Sequence, residues 1–400
     1  MMKTLAILST TVAMLALASC AGTAMAQLEK YQPNAESKKF PTGSAAERRA
    51  RMHGIAANPA YTRKFDLSGL PDYTPEGKPT GTIRLCGNNY LGDSPLAGWW
   101  KAAFAKFQPG ITLDLGQLST AAIAIPCLYM GTADIGVTHE PSFYDYLSYL
   151  RVKGHKPTGI SFITGSYDVV GWQNNMVIIV NKANPLTKVS IPQLDGMFGS
   201  ARAGGWVATT WHKELARGPE KDIRTWGQMG VTGALANQPV HTYGYSLRYA
   251  TALEFSDKVL HSSDKWNDNL LGFGNYEKPD GTTYLEADQI ADHVRDDPDG
   301  IGYVRYHPGF PTDVKILAVG ATDAGPFVPY TMDTLQTRAY PLWGDQKFWI
   351  DIKPGEKVDP KLREFIRFIL SRQGQELIEK DGKYLPLSAD AAKSELAKIQ

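Results

Sequence analysis

Two apolar stretches of this sequence end in bursts of polar residues that could grip a small ligand. Gly131-Thr132-Ala133-Asp134-Ile135-Gly136-Val137 has the composition of a short buried strand, and Thr138-His139-Glu140-Pro141 follows it with a hydroxyl, an imidazole and a carboxylate. Earlier in the chain, Thr82-Ile83-Arg84-Leu85-Cys86 gives way in the same manner to Gly87-Asn88-Asn89-Tyr90. In open α/β sheets a ligand sits outside the carboxyl ends of the strands, where loops and helix N-termini expose backbone N–H groups.

The signatures of common catalytic chemistry are absent. The sequence has no G-x-S-x-G elbow, H-E-x-x-H, Walker loop, C-x-x-C or G-x-G-x-x-G. Its eight histidines are scattered without metal-ligand spacing, and His139-Glu140 alone is too short a constellation to fix a metal. Asp296-Asp297-Pro298-Asp299-Gly300 lacks the alternating ligands and terminal Glu of an EF-hand and is more simply a turn that feeds a strand. No cofactor and no metal are expected.

The elements that must carry these residues alternate. Thr82 to Cys86, Ile111 to Leu115 and Ala133 to Val137 are strand-like. Leu96 to Phe107 is an amphipathic helix with Trp100, Phe104 and Phe107 on one face, and Ser119 to Met130 is helical but interrupted at Pro126. Strands separated by helices imply parallel βαβ units. Val169 to Val180 is a long apolar run; Ser190 with Pro192 opens a further helix; residues 211 to 233 look like an irregular insertion. Val240 to Val259 resumes the strand-loop-helix rhythm, Gly300 to Tyr306 and Val314 to Val319 are strands, and Pro360 to Ile378 is an amphipathic helix burying Phe365, Phe368 and Ile369.

The N-terminus has the order of an export signal: Lys3, an apolar run from Leu5 to Ala18, and Ala24-Met25-Ala26 as a small-residue cleavage site that would leave Gln27 first. Leu17-Ala18-Ser19-Cys20 also matches a lipobox, so an acylated Cys20 is the rival terminus and the only membrane attachment expected. Residues 27 to 80, with Arg48-Arg49-Ala50-Arg51, read as an extended arm with one short helix near Ala45 to His53. The remaining length exceeds one ordinary core and favours two lobes. A formal net charge of +1 argues against a nucleic-acid partner. Nine Trp and nineteen Tyr supply aromatics for cores or for a pocket wall. Cleavage leaves Cys86 and Cys127, either disulfide-bonded or separately buried.

Several segments, in order, resemble the phosphate-type substrate-binding proteins of ABC importers, a branch of the two-lobed periplasmic binding proteins. They are Gly131 to Gly136, Asn181-Lys182-Ala183-Asn184-Pro185, Gly300-Ile301-Gly302-Tyr303, Tyr340-Pro341-Leu342, Ser371-Arg372-Gln373-Gly374-Gln375 and Leu385-Pro386-Leu387, and the similarity spans residues 81 to 390. The resemblance implies a type II binding-protein fold: two α/β lobes, each a mostly parallel sheet flanked by helices, with two crossing hinge strands. Lobe 1 would be residues 81–172 plus 350–400 and lobe 2 residues 173–345, with the crossings near Val177 and at Phe348-Trp349-Ile350-Asp351-Ile352.

The resemblance also implies a ligand set. Asn89 and Tyr90 stand where the family has a small hydroxyl residue and an aromatic, Ser119 where it has a ligand serine, with Thr120 beside it, and His139, after Thr138, where it has an acceptor Asp. The family's Arg, acid and Ser-Gly-Thr loop is replaced by His241, Tyr243 and Tyr245-Ser246-Leu247, followed by Arg248. A neutral imidazole cannot reproduce a guanidinium's five-donor fork, and losing the acidic acceptor removes the device that recognises a ligand proton. Asn88 and Asn89 with the three tyrosines suit a roomier pocket. Each residue has a structural alternative: Asn88 as a helix cap, Tyr243 and Tyr245 as packing, Arg248 as a surface ion pair.

The reading that follows is a periplasmic, secreted or lipid-anchored monomer that captures phosphate or a related small anion by hinge closure and presents it to an ABC permease. Two alternatives use the same fold: a sensor or envelope interaction protein with another small polar or organic ligand, and an enzyme with His139 or His241 as general base.

Overall fold

The computed structural model describes residues 60 to 400 except 170, 171, 173, 174, 281, 282, 308 and 309. The export signal, Cys20, the short helix near residue 45 and the arginine cluster lie outside the described residues.

Lobe 1 begins with β1 (Gly81–Gly87), α1 (Asn89–Asp93), α2 (Leu96–Phe107), β2 (Ile111–Leu118), α3 (Ala124–Tyr129), β3 (Ile135–Thr138), α4 (Phe143–Lys153) and β4 (Thr158–Thr164). Lobe 2 holds β5 (Val177–Asn181), α5 (Ile191–Phe198), β6 (His241–Tyr245), α6 (Ala250–Val259), β7 (Leu271–Phe273), α7 (Glu286–Asp296), β8 (Gly300–Val304) and β9 (Val314–Ile316). The chain then returns to lobe 1 through β10 (Asp345–Ile350), α8 (Pro360–Ile369), α9 (Arg372–Asp381) and α10 (Ala389–Leu396). The fold is α/β with mostly parallel sheets.

The two five-stranded sheets repeat one plan. Lobe 1 orders its strands β2-β1-β3-β10-β4 and lobe 2 orders them β7-β6-β8-β5-β9. In each, one strand runs antiparallel to its neighbours, β10 in the first sheet and β5 in the second. These are the strands that enter from the opposite lobe. A chain arriving from the cleft must run away from it, whereas the other strands run toward it, so the carboxyl ends of the others and the start of β5 and β10 share one edge.

Local rules account for most elements. β3 and β5 are buried along their whole length, as strands covered on both faces are. α4 starts in a capping box between Ser142 and Asp145, and α5 in one between Ser190 and Gln193 with proline in its first turn. α7 buries Ala287, Ile290, Ala291 and Val294, a stripe at helical spacing. The aromatic load of lobe 1 is mostly core: Phe162 stacks on Phe348 at 4.1 Å, with Trp100 edge-on to Phe162 at 5.7 Å.

Four expectations need revision. The run expected as one helix from Pro360 to Ile378 is two, because Ser371 accepts a hydrogen bond from the Gly374 N–H and starts α9 afresh. Ser119 and Thr120 lie outside the helix, which begins at Ala124 so that Pro126 falls in its first turn, where no N–H is needed. The crossings lie beside the strands named for them. Buried Asn175 ties both crossing segments together, donating to the carbonyls of Gly165 (3.1 Å) and Ser166 (2.7 Å) and accepting from Gly344 N (2.7 Å). β5 and β10 therefore each pair within one sheet.

The arm, finally, is docked from residue 60 onward. Leu67, Leu70 and Tyr73 are buried, Tyr73 Oη donates to Glu364 at 2.6 Å, and Phe65 N donates to Glu379 at 2.7 Å. Tyr61 Oη accepts from Tyr167 N at 2.6 Å, against the outgoing crossing.

Cys86 and Cys127 form a disulfide, closing the choice that the sequence left open. It joins the end of β1 to α3.

Candidate functional site: an interlobe cleft

At the end of β1, Gly87 has φ +116°, and a Cβ there would lie 2.3 Å from the Val137 carbonyl, so only glycine lets β1 and β3 finish side by side. Asn88 then caps α1: its Oδ1 accepts from Tyr90 N at 2.7 Å, its Nδ2 donates to Gln346, and its N–H donates to Val137 O at 2.8 Å. At 1% exposure it positions the loop. Tyr90 extends from it, its ring 5.6 Å from that of Trp172.

At the end of β3, Thr138 is buried and paired with Lys347 of β10. His139 follows, its Nδ1 2.9 Å from the Glu140 carbonyl, so Nδ1 carries the proton and donates. The same Nδ1 lies 3.6 Å from Glu254 Oε1, a contact from lobe 1 to α6 of lobe 2. Glu140 meets Lys347 at 2.5 Å and accepts from Tyr146 Oη. Ser119 and Thr120 follow β2 at the same edge and are exposed. Asn89 is partly buried at the start of α1.

Lobe 2 supplies the opposite wall. Tyr245 is buried, and its Oη accepts from Arg305 N at 3.0 Å. Ser246 begins the turn into α6: its N–H donates to Phe273 O at 2.8 Å and its carbonyl accepts from Tyr249 N at 2.9 Å. Arg305 comes directly after β8, its side chain 24% exposed, with Nη2 2.9 Å from Glu254 Oε2. The Tyr90 hydroxyl of lobe 1 lies within its electrostatic reach. A guanidinium thus does stand at the cleft, although not where the resemblance would have put one.

Two residues expected in the cleft lie elsewhere. His241 is the first residue of β6 and pairs with Gly300, the first of β8, so it sits at the far edge of the sheet. Five strand residues put it roughly 13 Å from the Tyr245 end. There its Nδ1 is 2.8 Å from Asp297, and Asp297 with Asp299 brings three donor atoms within 4.8 Å of one another. Tyr243 turns under α7, donating to Asp297 at 2.6 Å and stacking on His293 at 5.5 Å. The 296–300 segment is the turn that was expected, with Asp297 Oδ1 accepting from Asp299 N at 2.9 Å. Arg248 is exposed and makes neither a hydrogen bond nor an ion pair among the described residues.

Beside the Arg305–Glu254 pair lies a cavity of about 230 Å³ lined by His139, Glu140, Glu254, Asp257, Lys258, Trp343, Gly344, Asp345 and Lys347. Crowding by its walls pushes the Asp257 carboxyl above the usual carboxylate range, against the Ser262 hydrogen bond that lowers it, and Glu140 and Glu254 push the same way. The same crowding lowers Lys258, whose ammonium sits 5.3 Å from the Trp343 ring centre. Sequence reading passed over Glu254, Asp257, Lys258 and Arg305. Arg305 fell inside the strand expected from Gly300 to Tyr306, and only the observed end at Val304 makes it the first polar residue beyond the strand; the α6 residues had only their shared helix face.

No family model matches the chain. Among curated proteins it matches the phosphate-binding protein PstS of Pseudomonas aeruginosa, strains PAO1 and UCBPP-PA14, each at 24% identity over 332 residues, 82% of this chain and 90% of theirs. The chain is similar to phosphate-binding proteins over most of its length. Solved structures with a related outline include PstS from Borrelia burgdorferi (13% identity, 77% of this chain and 99% of that one, TM-score 0.46). Others are an ABC-type phosphate transport receptor from Vibrio cholerae (16%, 76% and 99%, TM-score 0.43) and the tungstate-binding protein TupA from Desulfovibrio alaskensis (14%, 77% and 100%, TM-score 0.37). At these scores the superpositions carry no residue correspondences.

Proposed function

We propose that the protein is an extracytoplasmic solute-binding protein that captures phosphate or a related oxyanion between its lobes and delivers it to an ABC importer. Arg305 carries this reading: a guanidinium held by Glu254 at the carboxyl end of β8, within electrostatic reach of Tyr90 of lobe 1. Its planar fork is suited to bidentate recognition of a phosphoryl or similar group. Ser246, Tyr90, Asn89, Ser119 and Thr120, which follow strands that end at the same edge, are proposed to add hydroxyl and amide groups, and His139 an imidazole from lobe 1. Closure about the Asn175 crossings would exclude water from the ligand and strengthen these contacts.

The sequence likeness to PstS supports the transport reading, and the geometry weakens the enzyme alternative. His241 is outside the cleft, which leaves His139, with Nδ1 donating to the Glu140 carbonyl and Nε2 as its basic nitrogen, as the one residue still able to serve that alternative. The mature protein is proposed to be a periplasmic monomer, with any lipid attachment at Cys20.

Calorimetry and thermal shift with phosphate, arsenate, sulfate and tungstate test the proposal directly. A true ligand at ~100 times its Kd adds about 2.7 kcal/mol of apparent stability. Failure of every oxyanion to bind the ligand-free protein rejects it.

A further inference from the structure

The cavity next to Arg305 is poorly made for an anion alone. Glu254, Asp257 and Lys258 lie at i, i+3 and i+4 on one face of α6 and look across at His139-Glu140 and at Trp343 to Lys347. Four carboxylates line it against two ammonium groups. Lys347 is engaged by Glu140, and Lys258 rests on Trp343 with no hydrogen bond among the described residues. Asp257, an exposed residue at the cavity rim, has among the described residues only the Ser262 hydroxyl, at 2.7 Å, and no cation within ion-pair distance. Glu254 is 10% exposed; its Oε2 holds Arg305, while its buried Oε1 has no hydrogen-bond partner, with only the His139 ring at 3.6 Å. Ionised carboxylates are acceptors only, so the buried Glu254 oxygen lacks a donor, and Asp257 one helical turn on stands open to accept from a ligand.

We propose that this cavity is a second compartment of the ligand site, taking the ammonium end of a zwitterionic oxyanion such as an aminoalkylphosphonate or an amino-alcohol phosphate ester. The inference rests on the oxyanion reading above. Glu254 is the wall shared by the two compartments. A phosphoryl group on Arg305 and an ammonium between Glu254 and Asp257 are separated by about one helical turn, ~5–6 Å between neighbouring side-chain positions. A two- or three-atom spacer bridges that gap. An ammonium brings three donors, one of them to the Glu254 oxygen that lacks a partner. The cavity also has room for the spacer, since a single water needs only ~10–15 Å³ of such space.

The test is calorimetry of the mature chain with inorganic phosphate, ethylphosphonate and 2-aminoethylphosphonate, repeated on Asp257→Asn. The amino compound is expected to bind at least tenfold more tightly than ethylphosphonate, and Asp257→Asn to erase that advantage while ethylphosphonate affinity stays as in the wild type. Equal affinities for the two phosphonates, or an advantage that survives in Asp257→Asn, overturns the compartment and leaves the oxyanion reading standing. If none of the three binds, the oxyanion reading fails and takes this inference with it.

Discussion

Lobe 1 and lobe 2 have the same strand plan but meet the cleft differently. In lobe 1 the polar residues after β1 and β3 stand at the cleft edge, and a disulfide one residue before Gly87 ties that edge to α3. In lobe 2 the polar residues of β6 are spread along the strand, so the first ones face away and only Tyr245 and Ser246 reach the cleft. The missing charge comes from the next strand, as Arg305. No disulfide supports it; Glu254 and Tyr245 do, through one ion pair and one hydrogen bond to its backbone. One lobe is pinned covalently and the other by a charge pair.

Removing that charge pair should have the largest effect. Arg305→Ala leaves Glu254 charged and without its guanidinium, a change that typically costs ~2–5 kcal/mol at a buried ligand-facing pair. Oxyanion affinity measured by calorimetry should fall by more than a hundredfold, and Arg305→Lys should restore only part of it because an ammonium lacks the fork. Unchanged affinity in Arg305→Ala would move the site elsewhere.

Opening the disulfide tests the covalent pin of lobe 1. Replacing Cys86 and Cys127 by serine should lower stability by roughly 2–4 kcal/mol in denaturant titration, chiefly by freeing the unfolded chain. Lobe 2, without such a link, should show no comparable sensitivity to reductant.

A smaller effect follows from Asp257. Its carboxyl is raised in the folded state, so the folded protein holds that proton to higher pH than the unfolded chain does. The associated stability is complete below the ordinary carboxyl value and is lost as pH rises through the raised one. Asp257→Asn should therefore flatten the fall in Tm on going from acid toward neutral pH. A wild-type profile that matches the variant would mean the carboxyl is not perturbed.

The smallest changes are expected at the far edge and the surface of lobe 2. His241→Ala should leave ligand affinity unaltered, because the strand carries that residue away from the cleft. Arg248→Ala should stay within the ~0–1 kcal/mol of an exposed charge. A tenfold loss of affinity in either would contradict the strand direction that separates them from Arg305.

Much of the fold was legible because its causes are local. Alternation of strands and helices, the Ser142 and Ser190 caps and the α7 stripe depend on neighbours within a few residues, and so does the polar break after β1 and β3. Where legibility failed, the cause was non-local or a matter of direction. The resemblance groups His241 and Tyr243 with Tyr245 in one loop, yet they lie along one strand, and a strand has two ends on opposite edges of its sheet. Residues of α6 gave no sign of the carboxylates they would face.

The sequence alone determined that this chain is α/β, that its strands end in polar loops at Asn88 and Thr138, and that Cys86 and Cys127 were the pair available for bonding. Those properties are written in composition, periodicity and capping. Only the tertiary structure decided that Cys86 meets Cys127, that Arg305 takes the place of a charge at the cleft, and that Glu254 and Asp257 confront His139 and Glu140. Each of these requires two segments far apart in the chain to be brought to one edge, and packing of whole lobes sets that distance.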